Sequence, residues 1–330
     1  MNSCLILSVI FAVIAPCVAI ADDSSAELGA GGLVLTHSDS IRMSAEELRI
    51  SPRDVSAQFQ FVNDGKTDID TIVAFPLPDI DTSRFSEEPL GQTTNNPLNF
   101  VGFDVKADGN NIPFETEQRA FYKGRDVTEI VRRVGVPLNI VDPAFTKTLD
   151  ALPPAKLKLL KSADLVDEDS GAFAHPHWTV RTRFWWRQKF PAGKTVTLDE
   201  HYHPVTGQSL FGTEELNAKD ENGRHWLNTY CVDPGTRAVA ASMLAHHHAS
   251  PQNGNYLTAL TTDYVLVTGN NWNGPIGHFH LILDKLKPEN ALSLCWDGRL
   301  TKTGPTTFES TRDGFAPKSD IKLLVLQQGP

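Results

Sequence analysis

From Val55 onward the chain alternates. Val55, Ala57, Phe59 and Phe61 fall on one side of an extended backbone, and Ser56, Gln58 and Gln60 on the other. A period of two marks a strand with one face in a core. Asn63-Asp64-Gly65-Lys66 reads as a turn, and Ile69, Thr71, Val73 and Phe75 as a returning strand stopped by Pro76-Leu77-Pro78. Residues 100–105 and 112–121 predict a second hairpin around Asp108-Gly109-Asn110-Asn111. Together these predict an N-terminal antiparallel β-sandwich lobe over residues 22–122.

The period then changes. Val127, Ile130, Val131 and Val134 recur at helical spacing, with Asp126 as a cap and Glu129 as its capping-box partner. Short helices are expected over residues 143–149 and from Pro153-Pro154 through Leu160, so residues 123–170 read as a helical insertion. A second β lobe is expected over residues 171–330. It starts with a hairpin of residues 178–190 and 195–202 around Pro191-Ala192-Gly193, and a helix is expected over residues 237–248. Further strands are expected over residues 258–268, 278–283, 292–295, 306–309 and 321–326. The fold class is therefore mainly β: two sandwich-like antiparallel lobes with a small α-helical insertion.

The N-terminus narrows the compartment. Residues 5–18 are an uncharged apolar run followed by Ala19-Ile20-Ala21 and Asp22-Asp23, the pattern of a secretory signal peptide (residues 1–21) cut after Ala21. Cys17 leaves a lipid-anchored form open, with Pro16 against it. The expected location is periplasmic or secreted. Cleavage leaves Cys231 and Cys295, and an even pair in an oxidising compartment predicts one disulfide. A formal net charge of −10 argues against nucleic acid as a partner.

The 178–202 hairpin holds the sharpest chemical pattern. Trp178, Val180, Phe184, Trp186 and Phe190 form an apolar face, and Arg181, Arg183, Trp185, Arg187 and Lys189 a basic one. If both apolar faces of a hairpin meet one core, Arg181, Arg183, Trp185 and Arg187 lie beside His201 and His203. Guanidinium groups next to an indole form a candidate platform for an anionic small molecule, a glycan or an envelope protein. Pairing of Arg181, Arg183 and Arg187 with carboxylates would remove that platform.

Three His-x-His pairs occur: His175 and His177, His201 and His203, His278 and His280. Residues two apart on a strand share a face, so each pair offers two imidazoles to one ion. Asp199, on the face of His201 and His203, is the expected third ligand of a candidate Zn site; local hydrogen bonding or a surface position is the alternative for all three pairs. His246-His247-His248 cannot converge on one ion from a helix and fit a helix C-terminus better. The sequence has no Gly-x-Ser-x-Gly, His-Glu-x-x-His, Walker or EF-hand motif, and no strand is expected before Gly29-Ala30-Gly31-Gly32, which reads as a turn rather than a phosphate loop.

Several phrases carry a family resemblance. They include Glu27-Leu28-Gly29-Ala30-Gly31-Gly32-Leu33, Ala74-Phe75-Pro76-Leu77-Pro78-Asp79, His201-Tyr202-His203-Pro204, Asn271-Trp272-Asn273-Gly274-Pro275 and Gly304-Pro305-Thr306-Thr307-Phe308-Glu309. In combination they resemble an exported bacterial family of unknown function, domain of unknown function 4424. The resemblance implies an exported β-rich protein and brings no activity, substrate or cofactor. The leading expectation is a non-enzymatic envelope protein with a binding or structural role and no cofactor. The alternative is a metal-dependent periplasmic enzyme using the His-x-His pairs.

Overall fold

A computed structural model of the chain describes residues 24–29, 32–84, 94–167, 174–219, 221–247 and 256–328. The expected signal peptide, its cleavage site, Ala30-Gly31 and His248 lie outside them. The first ten strands are β1 (Ser24–Gly29), β2 (Gly32–Thr36), β3 (Ile41–Ile50), β4 (Val55–Asn63), β5 (Ile69–Pro76), β6 (Ile80–Asp81), β7 (Asp104–Ala107), β8 (Asn110–Asn111), β9 (Glu115–Tyr122) and β10 (Arg125–Asp126). Helices α1 (Thr128–Val134), α2 (Phe145–Asp150) and α3 (Pro154–Ser162) follow, then β11 (Thr179–Phe190), β12 (Thr195–Tyr202) and β13 (Gly207–Phe211). Helices α4 (Glu221–Thr229) and α5 (Pro234–His247) precede β14 (Leu257–Tyr264), β15 (Ile276–Asp284), β16 (Ala291–Ser293), β17 (Thr301–Lys302), β18 (Thr307–Phe315) and β19 (Ile321–Gln328).

The protein is mainly β. A seven-stranded sheet runs β10-β9-β11-β5-β1-β2, with β6 also on β11, and an eight-stranded sheet runs β17-β18-β15-β3-β4-β12-β7-β8. They face each other across a core of Phe59, Phe61 and Leu198 from one side and Phe75, Phe184 and Phe190 from the other, all essentially buried. Phe103 stacks on Phe184 at 4.4 Å between centroids, and Phe61 meets Phe190 edge-on at 5.8 Å. Burying each such ring stabilises by about 1.5–3 kcal/mol. Nearly all pairings are antiparallel; β15 joins β3 in parallel.

The expected hairpins are not hairpins. β4 and β5 lie in opposite sheets, and so do β11 and β12. β11 is flanked on both edges, by β5 and β9, so it has no free edge for β12, which instead pairs with β4 and β7. Alternation reports which face is buried. It does not say whether two apolar faces lie side by side in one sheet or oppose each other across a sandwich, and here they oppose. Buried Asn63 secures both crossings: its Nδ2 donates to the carbonyls of Thr67 and Phe190, at 2.9 and 2.8 Å, and its own backbone carbonyl accepts from the Gly193 N–H at 2.9 Å. The hairpin expected around Asp108 shrinks to β7–β8, and β9 crosses to the other sheet.

The lobe boundaries are corrected on the same ground. Strands from residues 22–122 and from residues 171–330 share both sandwich sheets, so the sandwich does not divide at the insertion. The second β unit is a smaller sheet, β13-β14-β19-β16. β19 buries both faces: Leu323 and Val325 join the sandwich core, while Leu324 and Leu326 join a separate cluster with Trp226, Ala240, Met243 and Leu244 from α4 and α5.

The insertion is helical as expected. Val131, Val134, Phe145, Leu149 and Leu160 pack onto the sandwich core, and the indole of Trp178 donates to the Leu138 carbonyl at 2.8 Å. No capping box forms. Asp126 accepts the Thr128 N–H at 2.9 Å, but Glu129 turns to Arg132 at 3.2 Å.

Candidate functional site

A cleft of about 600 Å³ opens between the sandwich and the smaller sheet. One wall is the segment after β5, where Pro76 ends the strand and Pro78, Asp79 and Asp81 follow. The floor carries Tyr202 from the end of β12, and the far wall is α4 with Thr261, Asp263 and Lys322 from β14 and β19. On α4, Asn222, His225, Trp226 and Thr229 line the cleft. Their i, i+3, i+4, i+7 spacing places them on one helical face. That spacing was present in the sequence, but the charged and polar residues around it hid a helix that was not expected.

Several contacts fix this wall. Trp226 is nearly buried, meets Phe211 edge-on at 5.5 Å and stacks with Tyr230 at 5.4 Å. Glu215 accepts the Gly212 N–H at 2.7 Å and the Asn222 side-chain amide at 3.1 Å, tying α4 to β13. A Cβ at Gly223 would lie 2.0 Å from the Asn217 carbonyl oxygen, so only glycine lets α4 pack this closely on the preceding turn. The expected disulfide is present: Cys231, just beyond α4, is joined to Cys295, just beyond β16. It pins the C-terminal end of the cleft helix to the smaller sheet.

The cleft is acidic. Asp79, Asp81, Glu215 and Asp263 line it, against the ammonium of Lys322, which already sits 2.7 Å from Asp263. Asp79 also pairs with Arg181 at 3.3 Å. Tyr202 is fully buried, and its burial, reinforced by the neighbouring Glu200 carboxylate, pushes the phenol well above its ordinary range. Tyr202 therefore faces the site as a neutral phenol.

The basic strand face is differently placed from expectation. Arg181, Arg183, Trp185 and Arg187 lie on the outer side of one sheet, and His201 and His203 on the outer side of the other. Arg181 forks onto Asp79 and lies over the Phe121 ring at 4.3 Å. Arg183 donates to the Leu33 carbonyl at 2.5 Å and pairs with Glu117 at 3.4 Å. Arg187 pairs with Asp70 at 3.5 Å. Trp185 packs beside Ala26, Leu33, Ile72 and Ala74. All three guanidiniums are thus engaged by carboxylates, which removes this face as the binding platform. The acids come from β5, β9 and the loop after β5, and a hairpin of β11 with β12 offers no register that places them beside β11.

The histidine pairs separate into two kinds. His278 faces Asp313 at 2.7 Å, while His280 sits between Glu47 and Glu309, 3.1 Å from each, so this pair does not converge. His177 bonds Asp167 at 2.8 Å, and His175 is exposed. His246 Nδ1 meets the Ser242 carbonyl at 2.7 Å within α5. His201 and His203 do converge, but with Asp54 rather than Asp199. Asp199 instead accepts from Gln58 at 2.6 Å, because Gln58 is its direct cross-strand neighbour.

Together these features define a β-sandwich protein with a buttressed side cleft. The chain belongs to the family described as Domain of unknown function (DUF4424), which matches residues 21–324. No curated protein matches it in sequence. Among solved structures it is similar to a Legionella pneumophila protein provisionally described as nutrient-binding, with 14% identity and a TM-score of 0.45 over 93% of this chain and 70% of that one. It is also similar to native yeast LTA4 hydrolase, with 8% identity and a TM-score of 0.29 over 87% of this chain and 29% of that one. No helix among the described residues is long and apolar enough to cross a membrane.

Proposed function

We propose that the protein is an exported, non-enzymatic binding protein whose ligand occupies the cleft between the sandwich and the smaller sheet. The observation that carries this reading is the cleft itself: about 600 Å³, walled by the Trp226–Tyr230 stack and by carboxylates from three parts of the chain. Binding sites for small molecules are typically concavities of this size with a few convergent polar groups. Export is supported by the apolar residues 5–18 with their Ala19-Ile20-Ala21 ending, and by the Cys231–Cys295 disulfide.

The lining selects the ligand class. Arg181 pairs Asp79 and Lys322 pairs Asp263, which leaves Asp81 and Glu215 and a negative lining that disfavours an anion, in contrast to the expectation drawn from the arginines. They favour a small polar ligand bearing ammonium groups or several hydroxyls, which donate to Asp81 and Glu215 while an apolar or cationic part rests on Trp226. Tyr202 lines this cleft whereas His201 and His203, its neighbours in sequence, point to the opposite side of β12, so the ligand reading does not involve the histidine pair.

Thermal unfolding of the purified chain with amines, amino acids, sugars and organic acids tests the reading. A cationic or hydroxyl-rich compound should raise Tm, and Asp81→Asn and Trp226→Leu should each weaken its binding at least 10-fold. Stabilisation confined to organic acids, or unaffected by both substitutions, would refute it.

A further inference from the structure

We infer that His201, His203 and Asp54 form a binding site for a divalent transition-metal ion on the outer face of the eight-stranded sheet. The three side chains offer one ligand atom each, all within 4.8 Å of one another. Asp54 Oδ1 lies 3.0 Å from His203 Nδ1 and 3.5 Å from His201 Nε2. Donors held about 2.1 Å from a common ion lie about 3.0 Å apart in octahedral and about 3.4 Å apart in tetrahedral geometry. The two separations from Asp54 are close to that range, and side-chain rotation brings the two imidazoles onto the same ion.

Local structure builds the cluster. β12 puts His201 and His203 on one outer face, since they are two residues apart. Asp54 comes from the turn before β4, where Ser51 Oγ accepts the Asp54 N–H at 2.9 Å. β7 places Asp104 directly across from His201, and its carboxylate lies 3.4 Å from His201 Nδ1, on the ring edge away from Asp54. A carboxylate on the non-ligating nitrogen is the usual second partner of a metal-bound histidine: it holds the ring and the tautomer that leaves Nε2 free to ligate. The Arg53 carbonyl, 3.1 Å from His203 Nδ1, accepts its N–H in the metal-free site, so an ion binding at Nδ1 displaces that proton.

The donor set chooses the ion. Two imidazoles and one carboxylate suit Zn²⁺, Ni²⁺ or Cu²⁺, whereas Mg²⁺ and Ca²⁺ favour all-oxygen sets. The side chains are about half exposed, which leaves coordination positions for water or an exogenous ligand.

The test is calorimetric titration of the untagged, chelator-stripped chain with Zn²⁺. One saturable equivalent is expected, weakened at least 10-fold in each of His201→Ala, His203→Ala and Asp54→Asn, and about 10-fold in Asp104→Asn. Asp199→Asn and His278→Ala should bind as the wild type does, and Mg²⁺ should not compete. Because the histidines are exposed, metal-free Tm is expected to be unchanged in these variants, and His203→Gln supplies a second substitution at that position. Absence of saturable binding, or binding retained in both His203→Ala and Asp54→Asn, would overturn the site.

Discussion

Single residues show what the arginine face does. Arg183 is largely buried, and loss of hydration lowers its guanidinium pKa from the ordinary value despite the nearby Glu117. Such a group costs free energy to bury and is retained by its bonds to Glu117 and to the Leu33 carbonyl, which tie the outer strand β2 to β9 and β11. Arg183→Met leaves Glu117 without that partner and is expected to cost about 1–3 kcal/mol in urea unfolding. Arg187→Ala, at an exposed pair, should change stability by less than about 0.5 kcal/mol. Equal costs at the two positions would contradict the structural role assigned to Arg183.

Asp320 makes the opposite case. It accepts the N–H groups of Leu266 and Val267, but burial outweighs these bonds and raises its pKa. A raised carboxyl pKa means the fold favours the protonated acid. That contribution is complete below the unfolded carboxyl pKa and is lost as pH rises through the folded one. Asp320→Asn, which keeps an acceptor oxygen, should therefore raise Tm at pH 7, with the gain shrinking toward pH 3. A loss of Tm at pH 7 would show that the charge is needed.

Among the elements, strands were the easiest to read from sequence. β4, β11 and β12 stood out because their inward positions are large and apolar and their outward ones polar. β3 was harder: a bulge between Met43 and Ala45 shifts the alternation, and the inward position 46 is a buried glutamate. Strand partners were illegible, since a reversal at Pro191-Ala192-Gly193 is equally compatible with a hairpin and with a crossing between sheets. The cleft was hidden for the same reason: its lining comes from segments that meet only once the sheets are assembled. The disulfide is legible, because the expected signal cleavage leaves two cysteines. In the chain-entropy account, closing a loop with a sequence separation of 64 contributes about 4 kcal/mol. Replacing both cysteines by serine should lower stability by that order. Hydrogen exchange should rise first in residues 221–232, while β4 and β11 stay protected; uniform exchange across the chain would contradict the anchoring of α4.

At the scale of the molecule, the interleaved topology makes a sharp prediction. Residues 22–122 contribute strands to both sandwich sheets but lack β11 and β12, which lie in the middle of them. That fragment should remain unfolded by circular dichroism, and a cooperative thermal transition in it would restore a division into sequential lobes. Binding divides in the same way between two indoles among the six of the chain. Trp226 stands in the cleft wall and Trp185 on the arginine face. The most direct measurement is therefore the indole N–H spectrum of the folded protein during titration with the amine or polyol that raises Tm. The Trp226 resonance should shift saturably while Trp185 stays in place; a shift of Trp185 alone, or a spectrum unchanged at saturating ligand, would contradict binding in the cleft.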